Sequence, residues 1–191
     1  MKKILILLGH SDCDTFSGHL ADNYEKGARE AGHEVKRVNI CDLQFDPILH
    51  KGYKEIQALE PDLIKIQEDL KWSEHFVLFY PNWWGTMPAL LKGMFDRMIL
   101  PGFAFRFNKD KPGWQKLLSG RSARVVITMD MNPWKAFWVF GDVSNEIKRA
   151  ILGFCGFSPV KLTKIGPVKD MEESRKNKWI EKMSDLGRKA V

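Results

Sequence analysis

Five short runs of apolar residues alternate along this chain with segments of helical periodicity, and that alternation leaves few folds open. Lys3–Gly9 is apolar at every interior position, and so is Phe76-Val77-Leu78-Phe79 within His75–Pro81. A strand with no polar alternation has to be buried on both faces. Ala123–Met129 repeats the pattern, Glu34–Ile40 alternates on Val35, Val38 and Ile40, and Val160–Ile165 is a fifth, weaker run. Between these lie helical segments. Ser17 precedes one with Leu20, Tyr24, Ala28 and Ala31 on one face and Gly32 as its stop. Pro61–Trp72 is a second, and Pro88 opens a third that carries Leu91, Met94, Phe95 and Met98. Val143–Leu152 and Met171–Lys189 complete the set. Strand and helix in turn predict an α/β fold: a five-stranded parallel sheet, helices on both faces, right-handed crossovers. With 191 residues, no internal repeat and no linker-like tract, residues 1–191 read as one domain.

Several function classes are excluded by elementary counts. The net charge is +6 with a pI near 9.2, but the basic residues are interleaved with acids, as in Glu172-Glu173-Ser174-Arg175-Lys176. No helix carries a basic stripe, so no nucleic-acid partner is expected, and an anionic small molecule suits the surface better. The apolar run Ile4–Leu8 is shorter than the ~7–15 residues of a signal peptide core. Nothing reaches the ~18 apolar residues of a membrane span, so no integral membrane segment is expected. Cys13, Cys41 and Cys155 are an odd number without CxxC spacing. Neither a disulfide framework nor a metal site follows, and the expected location is a reducing cytoplasm. Cys41 and Cys155 sit in apolar surroundings and are expected to be buried; Cys13 stands in a polar loop.

In an open parallel sheet, ligands bind beyond the carboxyl ends of the strands. Three such ends stand out. The first, Gly9–Ser17, sets His10, Ser11, Thr15 and Ser17 just before a helix, whose free N–H groups attract anions. It reads as a phosphate cradle, but is neither GxGxxG nor GxxxxGK[ST]. The alternative is a plain N-cap at Ser17 and a satisfied loop histidine. The second, Tyr80–Pro88, holds Trp83 and Trp84 side by side between prolines. Two adjacent tryptophans cannot both enter one core; they make a polarisable wall for a planar heteroaromatic ring, or fill a subunit interface. The third is Thr128–Trp138. Fourteen of the 22 aromatic residues fall between Phe76 and Phe140, and many sit in segments read as loops, Gly102–Gly120 and Met131–Asp142.

These residues resemble those of a known family. His10-Ser11 with Thr15-Phe16-Ser17, then Pro81-Asn82-Trp83-Trp84-Gly85-Thr86-Met87-Pro88-Ala89-Leu90-Leu91-Lys92-Gly93, Phe95-Asp96-Arg97, Gly102-Phe103-Ala104-Phe105 and Gly153-Phe154-Cys155-Gly156-Phe157 are similar to the flavodoxin-like NAD(P)H:quinone oxidoreductases, the flavodoxin-2 or DT-diaphorase-like family. The resemblance runs in order to about Gly166, and the Pro-Asn-Trp-Trp to Leu-Lys-Gly stretch is its most specific part. It implies a flavodoxin-like sheet of order 2-1-3-4-5 and hydride transfer from NADPH or NADH through a bound flavin to a quinone-like acceptor. It also implies a homodimer with the site at the interface. FAD is the expected flavin, with FMN the alternative. By the same resemblance His10, Thr15, Phe16 and Ser17 hold the flavin phosphate. Pro81, Asn82, Trp83, Trp84 and Gly85 wrap the ring, and Thr128, Met129, Asp130 and Met131 line its other edge. Trp84, Phe103, Phe105 and Trp134 form the substrate pocket.

The departures matter. Met131–Asp142 contains no Tyr or His and no double glycine, so the Tyr–His relay of the mammalian type has no counterpart, and no residue stands out as a catalytic acid. The chain is also shorter than those enzymes, so their further domain is not expected. Two other functions stand beside the oxidoreductase: a regulatory flavoprotein ancillary to a transporter, and a one-electron flavodoxin-type carrier. The carriers are typically acidic and lack the Trp-Trp-Gly-Thr-Met-Pro run.

Overall fold

The apolar run at the start of the chain is strand β1 (Lys3–Leu8), and its alternate side chains enter two separate cores. Leu5 and Leu7 face one side of the sheet, while Ile4, Ile6 and Leu8 face the other. The computed structural model describes residues 1–191. β1 pairs in parallel with β2 (Glu34–Asn39) and with β3 (His75–Pro81), which pairs with β6 (Ser122–Thr128), which pairs with β7 (Val160–Ile165). The order β2-β1-β3-β6-β7 is the 2-1-3-4-5 order expected, with one antiparallel hairpin, β4 (Phe105–Phe107) and β5 (Trp114–Lys116), inserted before the fourth strand of the main sheet.

Helices cover both faces. On one, α1 (Phe16–Glu30) and α5 (Glu173–Lys189) pack so closely that a Cβ at Gly187 would meet the Tyr24 carbonyl. On the other, α2 (Pro61–Trp72) and α3 (Ala89–Met98) cover the larger core. The irregular stretch between β2 and α2 is pinned there by Arg97, whose side chain is fully buried. Its guanidinium donates to the carbonyls of Asp46 and Ala58 and to both carboxylate oxygens of Glu60.

Two segments read as loops are ordered otherwise. Part of Gly102–Gly120 is the β4–β5 hairpin, and Pro133–Phe140 is a short helix, α4, capped by Asn132, whose side-chain oxygen accepts the Trp134 N–H. Only Ala136 of α4 is buried, so this helix lacks the one-sided apolar stripe by which helices are recognised. The helix expected over Val143–Leu152 is a π-helical segment, Glu146–Gly153.

His75 begins β3, fully buried, with Nδ1 2.8 Å from Ser122 Oγ. Burial, aided by the positive charges of Lys2 and Arg124, pushes its imidazole down to about 3. An unfolded histidine titrates near ~6.5, so below that pH the unfolded chain takes up a proton that the folded chain refuses. Stability present above pH ~6.5 is therefore lost as pH falls, by up to about 1.4 kcal/mol per pH unit from this residue. His75→Leu should flatten that dependence. Urea midpoints at pH 7 and pH 5 that fall equally in both proteins would contradict it.

Candidate active site

The C-terminal ends of β1, β3 and β6 open onto one cleft of about 200 Å³. Its walls come from the three loops singled out in the sequence: His10 and Thr15–Ser17, Pro81–Trp83, and Thr128–Asp130. Val168, after β7, is an addition. The strand-end rule that selected the other loops would have found it had the fifth strand been treated like the rest.

At the α1 end, Thr15, rather than Ser17, is the N-cap: its Oγ1 accepts the Gly18 N–H at 3.3 Å. Phe16 and Ser17 are the first helical residues, and their backbone N–H groups have no intrahelical acceptor. Ser17 Oγ lies 2.8 Å from Thr128 Oγ1 and is buried, which ties the first loop to the end of β6. His10 Nδ1 accepts the Asp12 N–H at 2.9 Å, which puts the proton of a neutral ring on Nε2. Its ring meets Trp83 edge-on at 5.5 Å.

The second loop is a two-residue turn. Trp83 N–H donates to Thr86 C=O at 2.9 Å, and Thr86 N–H donates back at 3.1 Å. Trp84 and Gly85 take φ values of +53° and +85°, the geometry of a type I′ turn. Glycine adopts that conformation freely, while tryptophan there costs about 1–2 kcal/mol. The turn separates the two indoles: Trp83 lines the cleft, whereas Trp84 is 97% exposed at its rim. Neither Trp84 nor Gly85 lines the cleft in this chain. Asn82 N–H donates to Thr128 C=O at 2.7 Å, while its buried Oδ1 has no donor.

On the third side, Thr128 and Met129 are buried at the floor, and Asp130 lines the cleft while accepting the Lys169 N–H at 3.0 Å. Met131 lies outside the cleft against the core. Of the residues expected to form a substrate pocket, Phe103 is a core residue, and Phe105 packs edge-on against Phe154, in the hairpin region. Trp134 stands exposed on α4. The single chain therefore does not bring Trp84, Phe103, Phe105 and Trp134 into one cavity.

The cysteines also differ from expectation. Cys13 and Cys41 are joined as a disulfide, with Cα atoms 6.6 Å apart, and both are partly exposed; only Cys155 is buried and free. Sequence spacing is silent on such a pairing, which arises because the ends of β1 and β2 are neighbours.

Residues 2–186 match the profile of the flavodoxin-2 family, described as a flavodoxin-like fold. The chain belongs to this family. Among family relatives, an uncharacterized NAD(P)H oxidoreductase of Haemophilus influenzae is 26% identical over 95% of this chain and 91% of its own. The ribosyldihydronicotinamide dehydrogenase [quinone] of Rattus norvegicus is 22% identical over 97% of this chain and 92% of its own. Among solved structures, Smu.1420 of Streptococcus mutans UA159 is 26% identical, superposes with a TM-score of 0.83, and covers 97% of this chain and 98% of that one. The FMN-dependent NADH-azoreductase of Bacillus anthracis, solved with FMN, has a TM-score of 0.79 at 16% identity, covering 99% of each chain. The flavodoxin-2 member described here is thus an oxidoreductase with a flavodoxin-like fold. No helix in it is long and apolar enough to cross a membrane.

Proposed function

We propose that this single-domain protein uses a bound flavin to carry hydride from NADPH or NADH to a quinone-like acceptor, as a cytoplasmic homodimer. The observation that carries the reading is the make-up of the one cleft. It has two free helix N–H groups and hydroxyls from the first loop, and the Trp83 indole from the second. A flavin brings a phosphate for the first feature and a planar ring for the second. When bound, the flavin supplies the hydride-accepting and hydride-donating chemistry.

The protein's part is binding and polarity. Phe16 and Ser17 N–H, Thr15 and the His10 Nε2–H would hold the phosphate. Trp83 would stack beside the ring, with Pro81, Asn82, Thr128, Met129 and Asp130 around it. Trp84 and Gly85 hold the rim turn in shape. FAD rather than FMN is favoured by a second recess of about 460 Å³ beside the first. It shares Thr15, Phe16 and Val168 with the cleft; His19 and Lys176 there are paired with Asp14 and Glu173, which leaves Lys169 as the cation for a pyrophosphate that continues past the cradle. Flavin released by heat from the purified protein should run as FAD on reverse-phase chromatography; FMN would overturn that choice.

The homodimer is supported by an uncovered apolar face. Trp84, Trp134, Phe137, Trp138, Val139 and Phe140 are all exposed, and a Cβ at Gly85 would stand 3.6 Å from Phe140, so rim turn and α4 are continuous. A second copy covering this face would bury Trp84 and Trp134 at the interface, beside the rim turn that follows Trp83 of the cleft. Sedimentation should show twice the 22.1 kDa chain mass, and a 22.1 kDa species at micromolar concentration would contradict it. Trp84→Ala should leave the fold of the single chain intact, because the indole is exposed there, yet weaken the dimer and lower quinone turnover several-fold. Equal turnover would remove Trp84 from the pocket.

A further inference from the structure

The Cys13–Cys41 pair plays no part in the chemistry above. Cys13 lies in the loop that leads to the α1 cap, two residues before Thr15. Cys41 lies in a 3-10 turn, Ile40–Asp42, directly after β2. Strand register explains the meeting: Leu8, the last residue of β1, is opposite Asn39, the last of β2, so the chain beyond each end emerges at the same sheet edge. Between Gly9 and Thr15 the loop bonds partly to itself, Asp12 N–H on His10 Nδ1 and Asp14 N–H on Asp12 Oδ1. Gly9 N–H on the Phe79 carbonyl and the His10 ring against Trp83 hold its first residues. Further on, its outside contacts are Asp14 beside His19, the Cys13 carbonyl set tightly against Gly18 of α1, and the Cys13 sulfur.

Both sulfur-bearing residues are partly exposed, so a small reagent can reach them. Cys155 is different: burial pushes its thiol up to about 11, which leaves it inert. In a reducing compartment, disulfides are usually transient and redox-sensing rather than structural.

We propose that Cys13 and Cys41 are a reversible thiol–disulfide site that governs the firmness of the phosphate loop, with a low-molecular-weight disulfide as co-reactant. Its effect on flavin rests on the reading of the cleft given above. The Asp42 carboxylate lies within 4.8 Å of both sulfurs, so either cysteine can be the attacking thiol. One thiolate attacks one sulfur of the small disulfide, forms a mixed disulfide and releases one small thiol. The other cysteine, losing its proton, then attacks the protein sulfur of that mixed disulfide and releases the second. Two protein S–H bonds are replaced by one S–S bond; the small disulfide takes up both electrons and both protons as two thiols. Closing the bond holds the loop in its binding geometry, and opening it returns conformational freedom that flavin binding must then remove.

The test equilibrates the purified protein, with whatever flavin it carries, in glutathione buffers from fully reduced to fully oxidised. Alkylation followed by intact-mass measurement should show Cys13 and Cys41 labelled together, two or none, with Cys155 unlabelled. Hydrogen exchange of the peptide spanning residues 10–15 should slow on oxidation, and flavin binding should weaken about tenfold on reduction. Cys41→Ser should lose both redox responses. Two free thiols in fully oxidised buffer, or exchange of the loop peptide that is the same in both states, would overturn the proposal. Unchanged flavin affinity alongside altered loop exchange would overturn its effect on the cofactor. A protein that carries and binds no flavin would refute the cleft reading, while loop exchange would still decide the thiol–disulfide site.

Discussion

Gly18→Ala should strip the protein of most of its flavin affinity while leaving the fold intact. A Cβ at this position would lie 2.2 Å from the Cys13 carbonyl oxygen, closer than any real Cβ contact. The clash is with backbone, so a side-chain rotamer cannot relieve it; the phosphate loop or the first turn of α1 must shift by roughly 1 Å. Misplacement on that scale costs on the order of 100-fold where groups must converge on one ligand. Alanine is, however, the better helix former, by about 1 kcal/mol, which offsets the strain within α1. The two effects separate in measurement: thermal midpoint near wild type, flavin dissociation constant about 100-fold higher. Retention equal to wild type would show that the α1 N-terminus does not hold the cofactor.

Arg97→Ala should produce the largest loss of stability of any substitution considered. Arg97 is fully buried and its guanidinium satisfies two backbone carbonyls and the Glu60 carboxylate at once. Removing it leaves acceptors of the β2–α2 excursion without donors and opens a void beside α3. Breaking a buried, hydrogen-bonded ion pair from one side costs about 3–5 kcal/mol. Glu60 remains partly exposed and can recover some hydration, which places the expected loss near the lower end of that range. Arg97→Lys should recover only part of it, since a single ammonium cannot span the Asp46 and Ala58 carbonyls and both carboxylate oxygens. Urea unfolding at neutral pH measures this directly, and a loss below about 1 kcal/mol would contradict the role given to Arg97.

The parts of this structure legible in the sequence are those where burial is two-sided or periodic. β1 and β3 announce themselves because both faces of each strand are apolar, and α1, α2, α3 and α5 because one face is. The β4–β5 hairpin escapes that logic: three-residue strands such as Phe105–Phe107 and Trp114–Lys116 are largely exposed and too short to show a period. α4 escapes it for another reason, since from Trp134 to Phe140 every position but Lys135 is apolar, which leaves no polar face to set a period, and only the Asn132-Pro133 start signals a helix. Most of the cleft was reachable from strand ends alone. What sequence could not supply was the division of labour within Trp83-Trp84, decided by a turn that sends one indole inward and the other out. Nor could it supply the Cys13–Cys41 meeting, which depends on the register of β1 against β2. The resemblance places Phe103 at the site, yet it belongs to the core, just ahead of the hairpin, where Lys71 Nζ of α2 lies 5.3 Å from its ring.

The central claim is a flavin in this cleft that exchanges hydride with a nicotinamide and then with a quinone. An anaerobic titration of the purified protein with NADPH, followed by its visible spectrum, tests it most directly. The account predicts a yellow protein that bleaches in a single two-electron phase and regains its colour on addition of one equivalent of a benzoquinone. A colourless protein that takes up neither FAD nor FMN would contradict it, and so would a flavin that nicotinamides leave oxidised.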